Sequence, residues 1–263
     1  MIRVTSTPNL AGVTISGDFE DLDALVDALY QVTVSDHDED LDKKSRRYLN
    51  ISIRALGLAY DVRHAAQGDR EIYTEANGIG ERHAETRADA VQPLPRSNVR
   101  YACNVLYPEV ILVTMALNDL VKHRMLRLAK TRYGFEAPLD KAVVNDRAIS
   151  VIRLFQSVFV EAISKVLTKA SFTRWRNIVH DRITDVVTIT HPFVDTWNLR
   201  YLDMDREERP KKLLTITKRF AEHLYDKENR AYRRAIDEAV KEYGCAETDL
   251  RFEGLQYPQE IDW

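Results

Sequence analysis

One stretch of this chain is apolar on every side: Val110-Ile-Leu-Val-Thr-Met-Ala-Leu117, opened by Tyr107-Pro108-Glu109 and closed by Asn118-Asp119. A helix that is hydrophobic all round belongs in a protein core or in a bilayer. A bilayer demands roughly 20 such residues, and residues 110–117 fall well short of that. The stretch therefore predicts a buried core helix. Pro108 suits its first position, and the helical pattern runs on to about residue 130.

The remaining segments predict what surrounds that helix. Residues 2–6 and 13–16 are β-branched and alternate about Pro8-Asn9 and Gly12, which predicts a hairpin. Asp18 then caps a helix whose apolar residues are Phe19, Leu22, Val26, Leu29 and Val32. A second helix carries the stripe Leu49, Ile53, Leu56 and Tyr60 and stops at Gly68. Residues 71–75 and 99–106 read as strands, separated by a polar loop over 81–98 with Pro93 and Pro95. Beyond the break at 134–138, a long helix is expected over 140–168, with Val144, Ala148, Val151, Phe155, Phe159, Ile163 and Val166 as its stripe. Residues 191–201 read as an irregular aromatic stretch, 207–243 as helical from Pro210, and 251–257 as a last strand. The expected fold class is α+β and predominantly helical, a helical bundle with a small sheet formed by the terminal strands. Residues 1–263 are expected to make a single domain, with a sub-boundary allowed near residues 95–100.

Hydrophobic residues make up 44% and charged residues 30% of the chain, the balance of an ordinary globular protein. A net charge of -3 gives no global pull toward nucleic acid or an anionic membrane. Basic runs at 122–132, 206–218 and 230–234 are interleaved with acids or spread around a helix, so any RNA contact must be local. Cys103 and Cys245 are too few for a disulfide framework or a cysteine-based zinc site. With no signal-peptide pattern in the opening residues, a cytoplasmic location and no membrane partner are expected.

The candidate chemistry is concentrated in Phe172-Thr-Arg174-Trp-Arg176-Asn177-Ile-Val-His180-Asp181. At about 100° per residue, Arg176, Asn177, His180 and Asp181 share one arc of the helix while Phe172, Trp175 and Val179 occupy the adjoining face. A permanently charged guanidinium beside an imidazole that titrates near neutrality is a minimal set for cleaving a phosphodiester without metal or cofactor. The segment resembles ribonucleases of the HEPN superfamily, helical proteins of bacterial toxin and defence systems. Their signature is an arginine, four to six residues, and a histidine, and Arg174 and His180 match it. Many members carry a polar residue after the arginine, where this chain has Trp175. Arg176-Asn177 has that polar residue but stands one position too close to His180. The resemblance implies a homodimer and leaves open which arginine serves.

Asp61 with His64, and Asp119 with His123, lie at helical spacings that could orient an imidazole or contribute to a metal site. If their helices pack side by side, the four residues would make a site for a metal-dependent hydrolase. Asp36, Asp38 and Asp40 mimic the start of a calcium loop, but Leu41 replaces its glycine and Arg47 its bidentate glutamate. Asn77-Gly-Ile-Gly80 lacks the rest of a phosphate loop and reads as a turn. His180-Asp181 alone is a weak sign of a metal phosphohydrolase.

Four stretches together resemble a family of uncharacterised bacterial proteins with no assigned reaction: residues 7–18, Leu56-Gly-Leu-Ala-Tyr-Asp-Val-Arg-His64, residues 107–119 and the decapeptide. That resemblance implies one compact fold and carries over no functional residue. Two functions therefore compete. One is a metal-independent endoribonuclease using His180 with Arg176 or Arg174. The other is a non-enzymatic interaction or self-association module that uses its helices and the aromatic stretch around Trp197 and Tyr201.

Overall fold

The computed structural model describes residues 1–35, 42–78, 96–131, 133–181 and 185–263. The expected hairpin is present: β1 (Arg3–Ser6) pairs antiparallel with β2 (Gly12–Gly17), Val4 opposite Ile15. The outer edge of β2 pairs with β4 (Ser97–Leu106), and β4 pairs with β3 (Glu71–Ala76), so the antiparallel sheet has the order β1-β2-β4-β3. Gly12 is dictated by this pairing, because a Cβ there would stand 1.9 Å from the Val105 carbonyl oxygen.

Helix α1 (Phe19–Val32) starts at Asp18, whose carboxylate accepts from the Asp21 amide in a capping box. After the short α2 (Lys43–Arg46) come α3 (Leu49–Ala66) and α4 (Tyr107–Leu128). Every residue of 110–117 on α4 is buried, as its all-round apolar pattern requires. The chain continues through α5 (Lys141–Val144), α6 (Arg147–Ser164), α7 (Lys169–Val179), α8 (His191–Leu202), α9 (Arg209–Ala221) and α10 (Lys227–Tyr243). Residues from β1 through α9 share one contiguous buried cluster. The protein is a mainly helical α+β molecule with a small antiparallel sheet.

Several local expectations are corrected. In the α3 stripe Ile53 and Tyr60 are exposed and Leu49 and Leu56 are only half-buried, and Ile51, Ala55, Leu58, Ala59 and Val62 are buried instead. Both faces of this helix are apolar, and the alanine-bearing one allows closer approach of its neighbours. The helix expected over 140–168 is broken at Asn145-Asp146. There the Asp146 carboxylate accepts from the Ile149 amide at 2.8 Å, which restarts the helix, and bridges to Arg124 at 2.7 Å. Residues 191–201 are helical, opened by Pro192, with Phe193, Val194, Trp197 and Tyr201 on the buried side.

No strand forms over 251–257. Gly254 takes φ +83 within that segment, and both edges of β2 are already occupied by β1 and β4. The chain ends still meet, but through the turn of the β1–β2 hairpin: the Asn9 amide donates to the Trp263 carbonyl at 3.0 Å. The acidic connector holding Asp36, Asp38 and Asp40, most of the 81–98 loop, and Ile79 and Gly80 lie outside the described residues.

Candidate functional site at the end of α7

Helix α7 is anchored on one side and open on the other. Its N-cap Thr168 accepts from the Ser171 amide, and Trp175 is completely buried between Phe172 and Phe159, with ring centroids 6.1 and 6.0 Å away. Val179 is buried beside it, so the helix cannot rotate. Arg174, Arg176 and Asn177 are consequently exposed, and so is His180, which forms the C-cap and donates its backbone N–H to the Arg176 carbonyl.

A relay from two other helices fixes this end. Asn118 of α4 donates from Nδ2 to the Val179 carbonyl at 2.9 Å, while its Oδ1 accepts from Arg153 at 2.6 Å and from Gln156 at 3.1 Å. The buried Gln156 also donates to the Thr114 carbonyl at 2.9 Å. The His180 imidazole has its pKa pulled below the ordinary value, first by partial desolvation and then by the positive charges of Arg153 and Arg176. The shift favours the neutral imidazole. Among the described residues, no carboxylate forms an ion pair with Arg153, Arg174 or Arg176.

Of the two candidate arginines, the structure brings Arg176 to His180. Ideal helical spacing turns Arg174 about 120° away from that direction, and Arg174 is not among the charges that depress the imidazole. Arg153 is the charged neighbour that sequence reasoning missed. No motif marks it; only the packing of α6 beside α7 brings it there.

The proposed metal set does not assemble. His64 pairs through Nδ1 with Asp69 at 2.9 Å, and Asp61 accepts from Arg70 at 3.2 Å. His123 is buried, stacked on Tyr48 at 4.4 Å, with Nε2 3.2 Å from the Ser45 hydroxyl. Tyr48 precedes α3 whereas Asp61 and His64 lie near its far end, so at 1.5 Å per residue the two pairs are about 20 Å apart. No group of three or more His, Cys, Asp or Glu among the described residues could hold a metal. Asp119 accepts from the Val186 amide at 3.1 Å, and burial pushes its carboxyl up to about 6.

A second polar centre, unseen in the sequence, surrounds Arg54 of α3. Its guanidinium donates to Asp195 at 2.9 Å, to Glu109 at 3.2 Å and to the His191 carbonyl at 2.8 Å. Asn198 donates to Glu109 at 2.8 Å and to the Tyr257 hydroxyl at 2.9 Å, and that hydroxyl donates to Asp195 at 2.8 Å. Cavities of about 400 and 800 Å³ flank the network. Asp195 and Asn198 fall in the segment read as irregular, and Tyr257 in the one read as a strand, which is why the network was not legible. The same helix removes Trp197 and Tyr201 from consideration as a docking surface. Both are buried, and Arg219 and Arg200 cover the Trp197 ring at 4.7 and 5.3 Å.

The described residues thus define a helical α+β protein with an open cationic corner and a closed ion-pair network. The chain belongs to the family described as Domain of unknown function (DUF6904), whose model matches residues 2–263. No curated protein and no solved structure matches it. No helix among the described residues is long and apolar enough to cross a membrane.

Proposed function

We propose that the chain is a metal-independent endoribonuclease of the kind that its α7 motif resembles, acting through His180 and Arg176. The observation that carries this reading is an exposed imidazole, its pKa lowered toward the neutral form, beside two arginines that form no ion pair among the described residues. In this scheme His180 takes the proton of an RNA 2′-hydroxyl, and the resulting oxygen attacks the adjacent phosphorus. The bond to the 5′-oxygen breaks and that oxygen takes up a proton, leaving a 2′,3′-cyclic phosphate and a 5′-hydroxyl. Arg176, joined by Arg153, offsets the negative charge that develops on the phosphoryl oxygens.

The test is incubation of purified protein with labelled RNA in excess chelator. Cleavage that survives chelation and disappears in both His180→Ala and Arg176→Ala is expected. Intact RNA after exposure to well-folded wild-type protein would remove the reading.

A specific observation favours a second reading, self-association without catalysis. Leu126, Tyr133, Phe135, Leu139 and Val144 are all at least half exposed and cluster within one stretch of sequence, with Phe135 at 78% and Leu139 at 83%. Large apolar side chains grouped on a surface suit an interface. Sedimentation should then show a dimer that Phe135→Asp with Leu139→Asp dissociates, and a monomer at every concentration would exclude it.

A further inference from the structure

We propose that the groove between the start of α3, the turn at Val187-Thr188 and α10 binds a nucleotide unit, its phosphate on the arginine rim and its base on the apolar floor. The groove has a volume of about 630 Å³, and its lining carries Arg46, Arg47, Arg230 and Arg233 together with Glu247, while Asp185 meets Arg47 from outside the lining. Two of these arginines are fixed in place. Arg233 donates to Glu247 at 2.7 Å and to the Thr188 carbonyl at 3.3 Å, and Arg47 reaches Asp185 at 3.3 Å. Arg230 is exposed and makes no ion pair among the described residues, so its charge is open to an anion.

Guanidinium groups match phosphate oxygens in charge and in hydrogen-bond geometry, which selects a phosphate ester over a neutral ligand. The floor includes Leu49 and Val187, with Leu224 still 55% exposed. An apolar surface beside fixed cations is the pairing that a nucleotide satisfies, because a base presents a flat face to cover it. Inorganic phosphate would use only half of the groove. The inference is independent of His180 and stands whether or not the protein cleaves RNA.

The experiment is fluorescence anisotropy with a short labelled oligoribonucleotide whose 2′-hydroxyls are methylated, competed separately with a nucleoside monophosphate and with inorganic phosphate. Arg47→Gln with Arg230→Gln is expected to weaken binding roughly tenfold or more. It should also flatten the slope of log affinity against log salt by about 0.7 for each phosphate that is no longer neutralised. Arg234→Gln, which lies outside the groove, should change neither. Leu224→Ser should weaken the nucleoside monophosphate while leaving phosphate competition unchanged. A double variant that unfolds at the wild-type temperature yet binds as well as wild type would overturn the proposal, as would a wild-type protein that binds no oligonucleotide at low salt. Phosphate competing as well as the monophosphate would overturn the nucleotide assignment. Binding without cleavage of unmodified RNA removes the ribonuclease and keeps the groove; cleavage unaffected by the double variant, with unchanged binding, removes the groove and keeps the ribonuclease.

Discussion

Arg54 and Arg176 carry the same side chain in opposite circumstances. Arg54 is enclosed by Glu109, Asp195 and the His191 carbonyl, so its charge is consumed by holding α3, α4 and α8 together. Arg176 is exposed beside a neutral imidazole and is matched by no carboxylate among the described residues. A charge already matched inside the fold has little left to offer a ligand, whereas an unmatched one at a fixed position does. The contrast separates scaffold from candidate site by how each arginine is partnered, even though cavities of about 400 and 800 Å³ lie beside the scaffold centre.

The largest effect is expected inside α7 itself. Trp175→Ala removes the fully buried anchor that aims Arg176 and His180, and truncating a core aromatic costs about 3–5 kcal/mol. The denaturant midpoint should fall accordingly, and any activity should disappear with the fold. A stable Trp175→Ala protein would mean that the corner is not held by the core. Next comes Arg54→Ala, which leaves Glu109 and Asp195 without their cation. Removing one partner of a buried pair costs about 3–5 kcal/mol, and the lower end applies here because both carboxylates remain partly open to solvent. A loss below about 1 kcal/mol would mean that the network is not structural and would make it a candidate site in its own right.

The sequence made the exposed face of α7 legible because Trp175 and Val179 leave only one way to bury the helix. It misled in α3, where Ile53 and Tyr60 compete with Ile51 and Leu58 for the core and periodicity alone cannot rank the faces. It misled again over 191–201, read as irregular although Phe193, Trp197 and Tyr201 keep helical spacing. Contacts made only in three dimensions left no local trace. Arg153 reaches His180 from α6, and Tyr257 reaches Asp195 across the fold, so neither has a signature in its own neighbourhood.

A smaller effect tests a charge that lies between the two extremes. Asp119 is partly buried, with its folded pKa raised from the ordinary carboxylate value to about 6. The fold therefore favours the protonated form: the contribution is fully present below the unfolded pKa of about 3.9 and is lost as pH rises through 6. Above that, the ionised carboxylate is a cost. Asp119→Asn keeps an oxygen that can accept from the Val186 amide and should stabilise the protein by about 1–2 kcal/mol at pH 8, after allowance for partial exposure. The gain should vanish below pH 4. Urea titrations at the two pH values check it, and an equal effect at both would assign the change to packing instead.

The smallest effect on stability is expected at the corner on which the functional proposal rests. His180→Ala and Arg176→Ala remove exposed side chains with no carboxylate partner among the described residues, and such substitutions stay within about 0.5 kcal/mol of wild type. Their effect on RNA cleavage should be far larger, because general-base removal alone costs on the order of 10²–10⁴ in rate. The pH dependence supplies the sign. Partial desolvation, then the charges of Arg153 and Arg176, lower the imidazole pKa, so the neutral base is the populated form down to a pH below 6.5. Cleavage should rise with pH on the acid side, with the midpoint of that limb below 6.5. Arg153→Gln removes one of the two depressing charges, so it should move that acid limb toward higher pH while leaving His180 in place. An acid limb that stays put in Arg153→Gln, or a profile still climbing above pH 8, would mean that another group takes the proton, and His180 would then be a helix cap and nothing more.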